Sequence, residues 1–90
     1  MIINKKILVT GAAGFIGFHL CKNLIKNNFD LIGIDNLNSY YDINLKKNRL
    51  NNLEKIKERS KGKWKFIKCD LKDKLNLNNI FSIHQPNIVI

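Results

Sequence analysis

An α/β fold on a parallel sheet is the class this sequence predicts, and three features point to it. Short β-branched apolar runs alternate with helical stretches along the whole chain. A glycine-rich turn joins the first apolar run to the first helical stretch, and an acid closes the second run. All of this lies within 90 residues of ordinary composition, 44% hydrophobic with one proline, so one domain at most is expected. The order strand, helix, strand, helix, strand, helix, strand is that of the N-terminal half of a doubly wound sheet, with expected strand order 3-2-1-4.

Ile2 to Val9 is an apolar run interrupted by Lys5-Lys6 and closed by Thr10-Gly11, which predicts a buried strand. From Phe15, the apolar residues Ile16, Leu20, Leu24 and Ile25 recur at spacings of three and four, with Phe18 and Cys21 beside them. That periodicity predicts an amphipathic helix ending near Asn27. Leu31-Ile32-Gly33-Ile34 predicts a second strand stopping at Asp35, and Asn36 to Asp42 a polar loop with two tyrosines. Leu50, Leu53 and Ile56 among Lys, Arg, Asn and Glu predict an exposed helix from about Ile43 to Arg59, broken by Ser60 to Lys63. Trp64 to Cys69 alternates large apolar residues with Lys, as a strand with one wet face would. Leu77, Ile80, Phe81 and His84 form a third helical stripe stopped by Pro86, and Asn87 to Ile90 begins a fourth strand.

The formal net charge of +9 invites a nucleic-acid partner, and residues 46 to 74 hold 12 Lys/Arg against 4 Asp/Glu. Composition argues for the plainer explanation, a solvated Lys-rich face. Lys, Ile and Asn occur 14 times each, a drift shared by the whole chain, and Lys outnumbers Arg 14 to 2. Bidentate phosphate and base contacts favour Arg. Trp64 and the scattered Phe residues do not interleave with the basic ones as stacking platforms would. No apolar run reaches the ~18 residues of a membrane span, so no membrane partner is expected. Lys5-Lys6 before an apolar stretch imitates a secretory leader, but Gly11, Gly14 and Gly17 interrupt it and no small-x-small cleavage site follows. Cys21 and Cys69 match no zinc or redox spacing, so no metal site is expected and a reducing cytoplasm is the default setting.

The chemistry lies in Thr10-Gly11-Ala12-Ala13-Gly14-Phe15-Ile16-Gly17, at the junction of the first strand and first helix. Gly11 permits the tight turn, Gly14 lets backbone approach a pyrophosphate, and Gly17 lets the helix pack close. The helix N-terminus then presents amides and the positive end of its dipole to phosphate. Asp35, 24 residues after Gly11, is positioned to accept hydrogen bonds from an adenosine ribose. Its charge would repel a 2′-phosphate, which favours NAD over NADP as cofactor.

Those residues, at the spacing Gly-x-x-Gly-x-x-Gly, resemble the extended short-chain dehydrogenase/reductase superfamily with its Rossmann-like NAD(P)-binding fold. That superfamily includes the NAD-dependent epimerases and dehydratases of sugar nucleotides. Phe18-His19-Leu20, the stretch Asp35-Asn36-Leu37-Asn38-Ser39-Tyr40-Tyr41-Asp42, and Leu45 through Arg49-Leu50 are most similar to its UDP-glucuronate 4-epimerase branch. Cys69-Asp70-Leu71 matches the family's Asp-Leu adenine contact. The resemblance implies that Gly11, Gly14 and Gly17 line the pyrophosphate, with Phe15 and Ile16 lending amides. It implies that Asp35, Asn36 and Asn38 hold the ribose, and that Asp70, with the Leu71 backbone beside it, takes the adenine. The plainer alternative for Asp70 is an ordinary loop acid or the cap of the third helix. Tyr40 and Tyr41 read as packing aromatics, and His19 and His84 as structural.

Relatives of this kind oxidise a sugar hydroxyl by hydride transfer to NAD, using the tyrosine of a Tyr-x-x-x-Lys motif as base. Position 44 is Asn and position 45 is Leu, so neither tyrosine begins that motif, and no catalytic residue is assigned. Residues 1–90 are therefore expected to be an incomplete N-terminal part of the NAD(P)-binding domain, without the substrate domain, and inactive alone. A nucleotide sugar as substrate and a homodimeric parent enzyme are what the resemblance implies. The fourth strand is expected to leave an apolar edge prone to pairing. Two other classes stay open: a basic nucleotide- or nucleic-acid-binding module without enzyme activity, and a regulatory NAD sensor.

Overall fold

A computed structural model describes residues 5–38 and 43–90. The expected positions Ile2 to Asn4, and the loop positions Ser39, Tyr40, Tyr41 and Asp42, lie outside the described residues. The elements are β1 (Lys6–Thr10), α1 (Phe15–Lys26), β2 (Asp30–Asp35), α2 (Ile43–Lys57), β3 (Trp64–Lys68), α3 (Lys74–His84) and β4 (Ile88–Val89). All three strand pairings are parallel, in the order β3-β2-β1-β4. In register, Ile7 pairs with Leu31 and with Ile88, and Leu31 pairs with Trp64.

Because side chains alternate across a strand, the sheet has two apolar faces, each covered by helix. On one face Ile7, Val9, Leu31 and Trp64 pack with Cys21 and Ile25 of α1 and Leu53 of α2. On the other, Leu8, Ile32, Ile34 and Cys69 pack with Ile80 of α3. Gly33 belongs to the first face, where a Cβ would run into the Trp64 ring and come within 2.7 Å of Ala12 Cβ. The strand therefore needs glycine for the indole to pack against it.

Two expectations require correction. The second helix is not simply exposed: Leu53 is fully buried, Lys46 is buried, and Leu50 and Ile56 pack against the first cluster. Its apolar residues are few but fall on one stripe, and α1 supplies a second surface for them. Nor does β3 have one wet face, since Ile67 and Cys69 on the Lys65 side join the second cluster. The helix ends follow local chemistry. Asp73 caps α3 by accepting the Asn76 amide at 3.1 Å, and Gln85 ends it in the left-handed region at φ 48°. The last strand continues its ladder past Val89: the Ile90 amide donates to the Leu8 carbonyl at 2.9 Å, and the Thr10 amide to that of Ile90 at 2.8 Å. Ile88, Val89 and Ile90 are exposed.

Candidate functional site

The carboxyl ends of β1, β2 and β3 meet the N-terminus of α1, where this topology places ligand crevices. The chain leaves β1 through Gly11 at φ 65°, a conformation that penalises any side chain. The Gly14 amide closes the turn on the Gly11 carbonyl at 3.0 Å, and the Ala12 amide ties it to the Ile34 carbonyl at 3.0 Å. Gly17 backs onto the same carbonyl: a Cβ there would lie on the Gly11 oxygen and 2.8 Å from its carbon. So α1 seats against the turn itself, which refines the role expected of Gly17. The amides of Phe15, Ile16 and Gly17 open the helix without intrahelical acceptors. Gly14, as N-cap, brings no side chain to satisfy them, and the first turn holds no acid. That leaves a concentration of donors and the positive end of a helix dipole.

Asp35 ends β2 and is only 7% exposed. Its Oδ2 accepts the Ala13 amide at 3.1 Å, and its Oδ1 accepts the Leu37 amide at 2.8 Å and Lys46 Nζ at 3.3 Å. One carboxylate thus joins the glycine turn, its own strand end and α2. A carboxylate has about four lone-pair directions, so these three donors leave about one for a ligand. Leu37 is held at φ 54°, strain of the sort that surrounding contacts must enforce, and the Asp35 bond enforces it. The Asn36 side chain accepts the Asn38 amide at 3.1 Å, and Asn38 Oδ1 accepts Lys46 Nζ at 3.4 Å. Across the cleft, the Cys69 amide donates to the Asp35 carbonyl at 3.1 Å, joining β3 to β2 at the same end. Asp70 Oδ1 accepts the Lys72 amide at 2.9 Å, and because Asp73 is the helix cap, Asp70 is a loop acid.

Gly11, Gly14, Asp35, Asn36, Asn38, Asp70 and Leu71 share a cleft of about 640 Å³ with Lys46 and Lys72. Phe15, Ile16 and Gly17 line an adjoining cleft of about 470 Å³ that also includes Gly11 and Gly14. All ten residues expected from the sequence therefore gather around one turn. Phe15, Ile16 and Leu71 are large apolar side chains standing exposed there.

Two residues escaped sequence reasoning. Lys46 is 6% exposed and paired to Asp35. Arg49 donates from Nη1 to the Ala13 carbonyl at 3.0 Å, with its guanidinium carbon 6.0 Å from the Phe15 ring centroid. A signal existed: Lys46 precedes Leu50 by four and Leu53 by seven residues, which puts it on the buried stripe. Fourteen lysines hid it. His19 is exposed and meets the Phe15 and Phe18 rings edge-on at 4.8 and 5.1 Å, a packing role. Burial pushes the Cys21 thiol up to about 12, and burial with Asp73 and Asp70 raises that of Cys69, so neither is a ready thiolate. Among the described residues there is no group of three or more His, Cys, Asp or Glu able to hold a metal. Among them, too, no helix is long and apolar enough to cross a membrane.

Known proteins resemble this chain in sequence and in fold. The UDP-glucuronate 4-epimerase of Thermodesulfobacterium geofontis is 40% identical over 83 residues, covering 92% of this chain and 24% of that protein. The crystal structure of UDP-glucose 4-epimerase with UDP-glucose from Thermotoga maritima matches with TM-score 0.69 and 34% identity, over 93% of this chain and 22% of that one. UDP-glucose-4-epimerase from Stenotrophomonas maltophila, with bound NAD and formylated UDP-arabinopyranose, shares the fold at TM-score 0.75 and 22% identity, over 96% of this chain and 23% of that one. The chain thus spans about a quarter of the length of the relatives it matches. Residues 8–90 match the family model described as GDP-mannose 4,6 dehydratase. Since that match takes in nearly the whole chain, this chain belongs to that family of NAD-dependent epimerases and dehydratases, within the short-chain dehydrogenase/reductase superfamily.

Proposed function

We propose that this chain is the adenosine-side half of the NAD site of a sugar-nucleotide epimerase, most similar to UDP-glucuronate 4-epimerase. Residues 1–90 form the N-terminal part of its Rossmann domain, and the substrate-binding part belongs to the remaining length seen in the relatives. The observation that carries this is the Asp35–Ala13 bond, which sets a carboxylate beside an uncapped helix N-terminus at the mouth of one cleft. Backbone at Gly14, which carries no Cβ, and the amides of Phe15, Ile16 and Gly17 would hold the pyrophosphate. Asp35 would accept from the ribose with its remaining lone pair, with Asn36 and Asn38 beside it. Asp70 would accept from the adenine amino group, with Leu71 beside it. Exposed Phe15, Ile16 and Leu71 are apolar surface that a bound dinucleotide removes from water.

When bound, NAD supplies reversible hydride acceptance, which lets a sugar carbinol be oxidised and then reduced from its other face. This chain's part is to bind and orient; no proton-transferring residue is assigned within it, and alone it is inactive. The substrate of the intact enzyme is a nucleotide sugar, and the working unit is a homodimer in the cytoplasm, a setting that suits two buried free thiols.

The test is calorimetric titration of NAD into the chain and into Asp35→Ala. Saturable binding that the substitution weakens tenfold or more is expected. An absence of saturable NAD binding, with salt-steep binding to duplex DNA instead, would replace this function with that of a basic nucleic-acid module.

A further inference from the structure

We infer that Arg49 is a positioning residue for the diphosphate part of this site, acting on the glycine turn and not on the ligand. The inference rests on the adenosine-site assignment proposed above and adds to it a residue that lines neither cleft. Gly14, the N-cap of α1, has no side chain to fix its own geometry, and glycine rotates more freely than any other residue. Both of its neighbours are held from α2 by one guanidinium. Arg49 Nη1 donates to the Ala13 carbonyl at 3.0 Å. The guanidinium carbon stands 6.0 Å from the centroid of the Phe15 ring, at the outer reach of a cation–π contact.

The peptide between Ala13 and Gly14 is thereby pinned at both ends, since the Gly14 amide donates to the Gly11 carbonyl at 3.0 Å. Ala13 is fully buried, so its carbonyl has no water to turn to if Arg49 is removed. That peptide sets the direction in which the amides of Phe15, Ile16 and Gly17 emerge. Helix stability alone would not place Arg49 here. A cation beside a helix N-terminus opposes the dipole, and the first turn holds no acid to offset it. The arrangement suits an anion at those amides. An Arg49 that only docks α2 would affect every part of the site, because Asp35 is tied to α2 as well, through Lys46 Nζ at 3.3 Å. An Arg49 that positions the turn would affect the diphosphate selectively.

The experiment is NMR titration of ADP, and separately of adenosine, into the 90-residue chain and into Arg49→Met and Arg49→Lys, at low and raised salt. Arg49→Met should lower ADP affinity by about tenfold or more and leave adenosine within about twofold, the scale of one charge-assisted hydrogen bond. It should also lose the ADP-induced shifts of the Phe15, Ile16 and Gly17 amides while keeping those of Asp35 and Asp70. The difference between Arg49→Met and wild type should persist at raised salt; a difference that vanishes there would reduce Arg49 to a screened surface charge and overturn its role. Arg49→Lys keeps the charge without the planar fork and should fall between the two. Should Arg49→Met fail to fold, judged by Trp64 fluorescence, Arg49→Lys decides the matter: a selective loss of ADP affinity supports the inference, and wild-type affinity overturns it. Equal weakening of ADP and adenosine by Arg49→Met, or unchanged ADP affinity, overturns the role of Arg49 while leaving the NAD site standing. Binding of neither ADP nor adenosine to the wild-type chain overturns both.

Discussion

Gly17→Ala separates two physical effects of opposite sign. Gly17 is the third residue of α1, and glycine inside a helix costs about 1 kcal/mol relative to alanine, so propensity alone forecasts stabilisation. The structure forecasts the reverse. The new Cβ would sit on the Gly11 carbonyl oxygen, 2.8 Å from its carbon and 3.1 Å from Ala12 Cα. All three are backbone atoms of a turn pinned by the Gly14–Gly11 and Ala12–Ile34 hydrogen bonds, so no side chain can swing aside. Forcing a methyl group into packed structure typically costs 1–3 kcal/mol, more where only backbone can yield. After subtracting the propensity gain, a net loss of about 1–2 kcal/mol is expected, from a total near 5–13 kcal/mol for a domain of this size. With a urea slope of about 1–3 kcal/mol/M, the midpoint should fall by roughly 0.3–2 M. Trp64, the sole tryptophan and 4% exposed, reports the transition by fluorescence. A Gly17→Ala midpoint equal to or above wild type would refute the packing argument and, with it, the seating of α1 on the turn.

Two further outcomes follow from burial and charge. Leu53→Ala removes a fully buried side chain and should cost about 2–5 kcal/mol, lowering the thermal midpoint by 8 °C or more, whereas Leu75→Ala, 74% exposed, should stay within about 0.5 kcal/mol. Partial burial, then Lys65 and Lys6, hold His84 below its ordinary 6.5. The unfolded chain therefore takes up that proton first. Stability should decline as pH falls through 6.5 and level off below the folded value, and His84→Gln should flatten this segment of the urea-midpoint profile.

Much of the fold was legible because its periodicities are local. The Gly-x-x-Gly-x-x-Gly turn and the apolar runs fixed the seven elements to within a few residues and correctly implied the 3-2-1-4 order. What sequence missed depends on partners distant in the chain. Lys46 is one lysine among fourteen until α2 docks on α1 and brings its ammonium to Asp35. The shape of α2 as half-buried rather than exposed depends on the same docking. Gly33 reads as a weak strand residue until Trp64 is laid across it, a contact thirty-one positions away. Even the possibility that Asp70 caps the third helix is removed only by a local contact, Asp73 taking the Asn76 amide.

The central claim is that the glycine turn, Asp35 and Asp70 form one adenosine diphosphate site. Amide-resolved NMR of the chain titrated with ADP tests it most directly. The largest shifts should fall on Gly14 to Gly17, Asp35 to Asn38 and Asp70 to Leu71, and should persist at raised salt. Shifts scattered over the lysine-rich residues 46 to 74, fading as salt is added, would contradict it.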